Sequence, residues 1–234
     1  LKLSQILSSC RVRSNRILTG VASALVLGAV GVSYGGVTSK SADTYTLRAK
    51  YYKGELHTYG IQTAIYGITA DNKGVAIQFD MRMHVLKVDS NKATIRLASG
   101  SPKNGDQVLP WTFKVAVVVL DQWNRPVGSK ASGQIFSAYP SHPLKIGDTW
   151  EGTSNLTLSA TTGALVGTAY RLNSVKMDGS RKIAEIGMKF SGLASGEGTE
   201  LIDLADGSLL SSDLKLQLHQ SKTIPIIIVM KRLT

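Results

Sequence analysis

From Asp43 to the C-terminus the chain alternates apolar and polar residues with a period of two, as half-buried β-strands do. The stretch "TYTLRAKYY" sets Tyr45, Leu47, Ala49 and Tyr51 on one face, with Thr46, Arg48 and Lys50 on the other. "GVAIQFDMRMHVLKVD" sustains the alternation unusually far, opposing Val75, Ile77, Phe79, Met81, Met83 and Val85 to Ala76, Gln78, Asp80, Arg82 and His84. "KATIRLAS", "FKVAVVVLD", "TAYRLNSVKM", "KIAEIGMKF" and "LKLQLH" repeat the pattern. Asn72-Lys73-Gly74, Asp178-Gly179 and Asp206-Gly207 punctuate it, the two Asp-Gly pairs being hairpin signals. Beyond the first 42 residues no window carries a 3.6-residue period. The pattern predicts an all-β, antiparallel fold of roughly ten to twelve strands, as a curved sheet, half-barrel or sandwich.

Two stretches share an order of features. "YKGELHTYGIQT…MHVLKVDSNKATIRLASG" and "KIGDTWEGTSN…YRLNSVKMDGSRKIAEIGMKFSG" each open on Lys, Gly and an acid, with an aromatic near the start of the first strand. A long strand, a short turn and a second strand follow in both. The period of about 90 residues is too long for a solenoid and suits two β-meander halves, 43–100 and 140–234. The connector, about residues 99–112, is rich in Gly, Pro and polar residues.

The densest chemistry lies in "HPLKIGDTWEG", residues 142–152. As a site, it would make His142 a base oriented by Asp148 or Glu151, which requires a nucleophile or water within reach that sequence proximity does not supply. As structure, Pro140 and Pro143 hold the segment extended, Gly147-Asp148 turns it, and Trp150 closes one end of a β core. Strand entry is the expectation. "TIPIIIVMKRLT" at the C-terminus reads as a buried final strand with Lys231 and Arg232 as charged gatekeepers. The alternative is an edge strand that adds to a neighbouring molecule.

Catalytic and metal patterns are missing from the sequence. His57, His84, His142 and His219 form no close ligand pair, as zinc sites usually require. Apart from Cys10 there is no cysteine, hence no disulfide framework, thiol nucleophile or Cys-ligated metal in the β region. Serine elbows of the G-x-S-x-G type are lacking. "DLADGS" (203–208) reads as a hairpin turn rather than a calcium loop, and "FSGLASGEGTE" as a Gly-rich loop without the lysine of a phosphate loop. The expectation is a non-enzyme with no catalytic, cofactor-binding or metal residues, whose ligand-binding residues sequence alone does not identify.

Charge and hydropathy place the chain. The 234 residues carry a net +11, but five basic and no acidic residues lie in 1–42, so the remainder carries +6. No basic run interleaved with aromatics follows, which argues against a nucleic-acid partner. "RVRSNR" followed by "ILTGVASALVLGAVGVSYGG" has the layout of an export signal: basic, then apolar, then small residues near Ser33 and Gly35. Its apolar part, Ile17 to Val32, is 16 residues, short for a membrane span. Residues 1–42 therefore read as a hydrophobic signal helix, or a membrane anchor if uncleaved, with a short linker. Residues 43–234 read as a single exported β domain: periplasmic, cell-surface or extracellular. Any membrane contact is through the N-terminal segment alone.

"LKIGDTWEG", "GTAYRLNSV", "AEIGMKFSG" and "GEGTELIDLADGSLLSSDL" resemble a secreted bacterial all-β family marked by a "vGDtW" turn. The resemblance covers about residues 45–100 and 140–220 and implies a barrel-like or half-barrel fold reminiscent of periplasmic lipoprotein carriers. It brings no catalytic residues. "LSSC" at 7–10 precedes the apolar stretch instead of following it, so lipid anchoring is not implied. Three functions stay open: a non-catalytic binding or carrier module for a lipid or other apolar or amphipathic ligand, a self-associating surface protein, and a hydrolase without a recognisable motif. For the first, the Phe79, Met81 and Met83 stripe would offer an adaptable apolar surface.

Overall fold

The computed structural model describes residues 43–67, 74–110, 115–128, 137–157, 163–219 and 223–234; the segment 1–42, expected to be a signal helix or anchor, lies outside them. Among these residues twelve strands run in chain order: β1 Leu56–Ile65, β2 Val75–Asp89, β3 Lys92–Ser99, β4 Lys103–Asn104, β5 Gln107–Val108 and β6 Ala116–Asp121, then β7 Thr149–Thr157, β8 Gly163–Asp178, β9 Arg181–Gly192, β10 Ala194–Asp203, β11 Leu209–His219 and β12 Thr223–Arg232. They form one antiparallel open sheet rather than two stacked ones. Its main path is β6-β3-β2-β1-β12-β11-β10-β9-β8-β7, with the small β4–β5 hairpin joined to β2 beyond the end of β3.

Nearly every neighbour in this order is also a neighbour in sequence, as hairpins dictate. The exceptions are the β3–β6 pair, which spans the β4–β5 hairpin, and the junction between the N-terminal meander and the C-terminal one, where β1 pairs with β12 from Tyr59–Arg232 to Ile65–Ile226. On its other side β12 pairs with β11 from Ser211–Lys231 to His219–Thr223. The aliphatic C-terminal strand is thus an internal strand, and its backbone has no free edge to offer another molecule. Its Pro225, which lacks an N–H, lies near the strand start.

Alternation decides what faces the core. Tyr59 and Ile61 of β1, Ile77, Met81, Met83 and Val85 of β2, Ala93, Ile95 and Leu97 of β3, and Ile226 and Met230 of β12 are buried on one face. Tyr170 and Leu172 of β8 and Ile186, Met188 and Phe190 of β9 continue that face across the C-terminal meander. The Phe79, Met81 and Met83 stripe is therefore packed core in this structure, with Met81 and Met83 buried and Phe79 packed against the cluster.

A single device starts both meanders. Before β1, Gly54 (φ 84°) donates to the Val85 carbonyl and the Val85 N–H returns a bond to the Glu55 carbonyl. Before β7, Gly147 (φ 98°) donates to the Leu172 carbonyl and the Leu172 N–H returns one to the Asp148 carbonyl. In each case the acid's carboxylate accepts from the N–H three residues back, Tyr52 or Lys145. A register shift follows at once on the long strand, between Val85 and Lys87 and between Leu172 and Ser174. Such bulges increase the local twist and let a long strand bend over the core.

Two expectations need correction. "TYTLRAKYY" forms no ladder strand: Tyr45 makes an isolated bridge with Leu144, and the Ala49 and Lys50 N–H groups bond to the Gln122 and Asp206 carbonyls. Its faces are still as read, with Leu47 and Ala49 buried and Arg48 and Lys50 exposed. "FSGLASGEGTE" is not a loop but the end of β9 and the start of β10. There a Cβ on Gly198 would lie 2.7 Å from the Asp213 carbonyl oxygen and 2.5 Å from Leu214 Cδ2, so the close β10–β11 approach requires glycine.

Candidate functional site

"HPLKIGDTWEG" builds the entry to β7. His142 is exposed, Leu144 is fully buried, and Asp148 spends its carboxylate on the Lys145 N–H at 2.8 Å. Trp150 stacks on Tyr170 with ring centroids 5.3 Å apart and donates from Nε1 to the Ala138 carbonyl at 2.9 Å. Glu151 is exposed. The hydrogen bonds of Asp148 and Trp150 both serve strand entry.

The other histidines stand apart from one another. His57, only 3% exposed, meets Glu55 Oε1 through Nε2 at 2.8 Å, while its buried Nδ1 has no partner among the described residues. His219 Nε2 lies 2.7 Å from the Ser195 hydroxyl on an exposed part of β10 and β11. His84 is half-buried, opposite Leu56 and Arg96. Among the described residues no group of three or more His, Cys, Asp and Glu side chains could hold a metal ion.

Two features do offer chemistry, and sequence reasoning missed both. The first is a groove of about 550 Å³ across β9 to β12, lined by Lys189, Glu197, Lys215, Gln217, Pro225 and Ile227, with Tyr66 at one end. Register puts Glu197 directly opposite both Lys189 and Lys215, and Lys215 opposite Ile227. One polar wall with a net positive charge thus adjoins an apolar wall. These residues are the outward set of their strands, which sequence reading assigns to solvent.

The second is a buried polar cluster where the sheet meets the segments that precede β1 and β7. Glu200 of β10 is only 5% exposed, beside Ile186 of β9 and Ser212 of β11. Burial pushes its carboxyl up to about 7, an effect that the Ser137 hydroxyl, which lies 3.6 Å from Met188 Sδ, opposes. Its Oε2 has no partner among the described residues. From Ser137 a chain of bonds leads outward: the Ser137 carbonyl accepts from Asn124 Nδ2, and Asn124 Oδ1 accepts from the Tyr51 hydroxyl. Tyr139 donates from its hydroxyl to the Gly207 carbonyl at 2.9 Å. Burial raises the phenols of Tyr51, Tyr59 and Tyr139 well above their ordinary range, so all three are neutral here, and Tyr51 and Tyr139 donate as described. A buried acid without a second partner is a common mark of a functional or strained position.

No family model, curated protein or solved structure matches this chain, so its reading rests on its own residues.

Proposed function

We propose that the chain is an exported, non-catalytic binding module of the bacterial cell envelope, whose groove across β9 to β12 seats an amphipathic ligand. The observation that carries the reading is the groove's division: Lys189 and Lys215 on one wall, Pro225, Ile227 and Tyr66 on the other. Its volume of about 550 Å³ lies in the ordinary range for small-molecule sites. An anionic head would meet the lysines while a tail lies along the apolar wall, each buried methylene contributing about 0.8 kcal/mol. The export layout of the first 42 residues and the resemblance to half-barrel carriers point the same way, with the ligand held on the outer face because the inner one is filled by core side chains.

Displacement of a fluorescent long-chain fatty acid by unlabelled fatty acid, using the full chain, tests this. One-to-one binding is expected, weakened at least tenfold (about 1.4 kcal/mol) in Lys189→Glu/Lys215→Glu. Affinity unchanged by that double substitution, or equal affinity for a long-chain alcohol, would sink the reading.

A further inference from the structure

We propose that Glu200 is the latch of a proton-controlled seal: neutral, it lies beneath the closed segment carrying Ser137; ionised, it draws in water by lifting that segment. The latch does not depend on the groove.

The seal is made of extended chain rather than ladder. Segment 137–148 is tied to the strip 45–50 by reciprocal Tyr45–Leu144 backbone bonds of 2.7 and 2.8 Å. The Tyr139 N–H bonds to the Trp123 carbonyl at 2.8 Å, and the Ala49 N–H to the Gln122 carbonyl at 2.9 Å. These few bonds join the turn after β6 to the chain entering β7, the two outer strands of the main path. Glu200 touches this assembly through Ser137, and Ser137 continues it through Asn124 to Tyr51. Asn124 takes a left-handed φ of 60°, a conformation that asparagine tolerates better than most residues.

Ionisation here is poorly served. A carboxylate can accept several hydrogen bonds, yet among the described residues the Ser137 hydroxyl is the one side-chain group that favours the ionised form of Glu200, it is shared with Met188 Sδ at 3.6 Å, and Oε2 has no partner. Among the described residues no base acts on Glu200 as a cause of its shift. The sheet gives Ile186 from β9 and Ser212 from β11 as register partners. Tyr59 of β1 and Tyr139 feel the Glu200 charge, and their raised phenols do not titrate in the neutral range. Arg232 of β12 and Asp206 act on Tyr59 with opposite sign, and Tyr51 acts on Tyr139. His57 pairs with Glu55 two inward positions along β1 from Ile61, which shares the cross-sheet row of Met230, Ser212 and Glu200. The raised carboxyl of Glu200 is consistent with this setting.

Native-state hydrogen exchange on the full chain, corrected for intrinsic rates, reads the seal directly. The N–H groups of Tyr45, Ala49, Tyr139 and Leu144 should exchange through an opening with weaker denaturant dependence than Ile95 and Leu97 in β3. That opening should grow by up to tenfold per pH unit between about 4.5 and 7 and level off above. In Glu200→Gln, which keeps His57, it should be independent of pH. Ser137→Ala removes a group that favours the anion in the closed state, so its opening should start to grow at the same pH and level off at a higher one. The proposal is overturned if the seal exchanges only together with β3, if its opening does not change with pH, or if the change survives in Glu200→Gln. Should that variant fail to fold, an unmoved midpoint in Ser137→Ala overturns it equally.

Discussion

Gly207 measures how tightly the strip before β1 is held. It has φ +71° and closes the turn from β10 to β11. A Cβ there would lie 2.3 Å from the Arg48 carbonyl oxygen and 2.8 Å from the Ala49 nitrogen, both backbone. Nothing flexible can give way, so Gly207→Ala must push the strip outward. Left-handed backbone costs about 1 kcal/mol for a residue with a Cβ. Displacement weakens the Lys50-to-Asp206 and Tyr139-to-Gly207 bonds, each contributing about 1 kcal/mol. It also lifts Leu47, fully buried, whose burial contributes about 2 kcal/mol. The expected loss is about 3–5 kcal/mol. Gly179, at φ +62° in the β8–β9 hairpin, has open space for 4 Å around the position a Cβ would take, and so isolates the backbone contribution. Gly179→Ala should cost only about 1 kcal/mol. Urea unfolding followed by tryptophan fluorescence compares them, since Trp123 and Trp150 both contact the seal. If Gly207→Ala costs no more than Gly179→Ala, the strip does not press on this turn and the reasoning fails.

Two further outcomes follow from the sheet and its buried acid. Glu200 binds its proton more tightly folded, near 7, than at its ordinary 4.5, so its contribution is intact below about 4.5 and is lost as pH rises through 7. Global stability should fall by about 3 kcal/mol across that interval in the native chain and stay level in Glu200→Gln; parallel pH curves for the two chains would refute the assignment. Truncation before Ile224 removes the partner of both β1 and β11 and should leave a chain without native β circular dichroism; a folded truncated monomer would contradict the strand order.

Much of the fold is legible because each long strand has one buried face. Met81, Met83 and Val85 alternate with Arg82 and His84, and the structure buries the first set as the pattern requires. "HPLKIGDTWEG" is legible as strand entry because Gly147 and Asp148 have few other uses in that order. β10 is hidden for the opposite reason. Its inward positions are Ala194, Gly196, Gly198, Glu200 and Ile202, small or charged, so the alternation that marks a strand disappears into apparent loop composition. Those glycines answer to β11, which period-2 reading does not see. "TYTLRAKYY" shows the converse: alternation reports which side chains are covered, not which backbone supplies the hydrogen bonds. Glu200 is beyond the reach of sequence because Tyr51, Asn124 and Ser137 converge on its surroundings from three distant segments.

The pairing of β1 with β12 has a kinetic consequence. The N-terminal meander cannot cover one side of its first strand until the last strand is available, and the C-terminal meander has the same dependence in reverse. Contacts between opposite ends of a chain are slow to form, because the entropy of bringing them together is spent before any pairing rewards it. Of the twelve strands described, β12 therefore leaves the ribosome after all its sheet neighbours. Until then two incomplete meanders coexist, each with an unpaired edge at which it can pair wrongly with another chain.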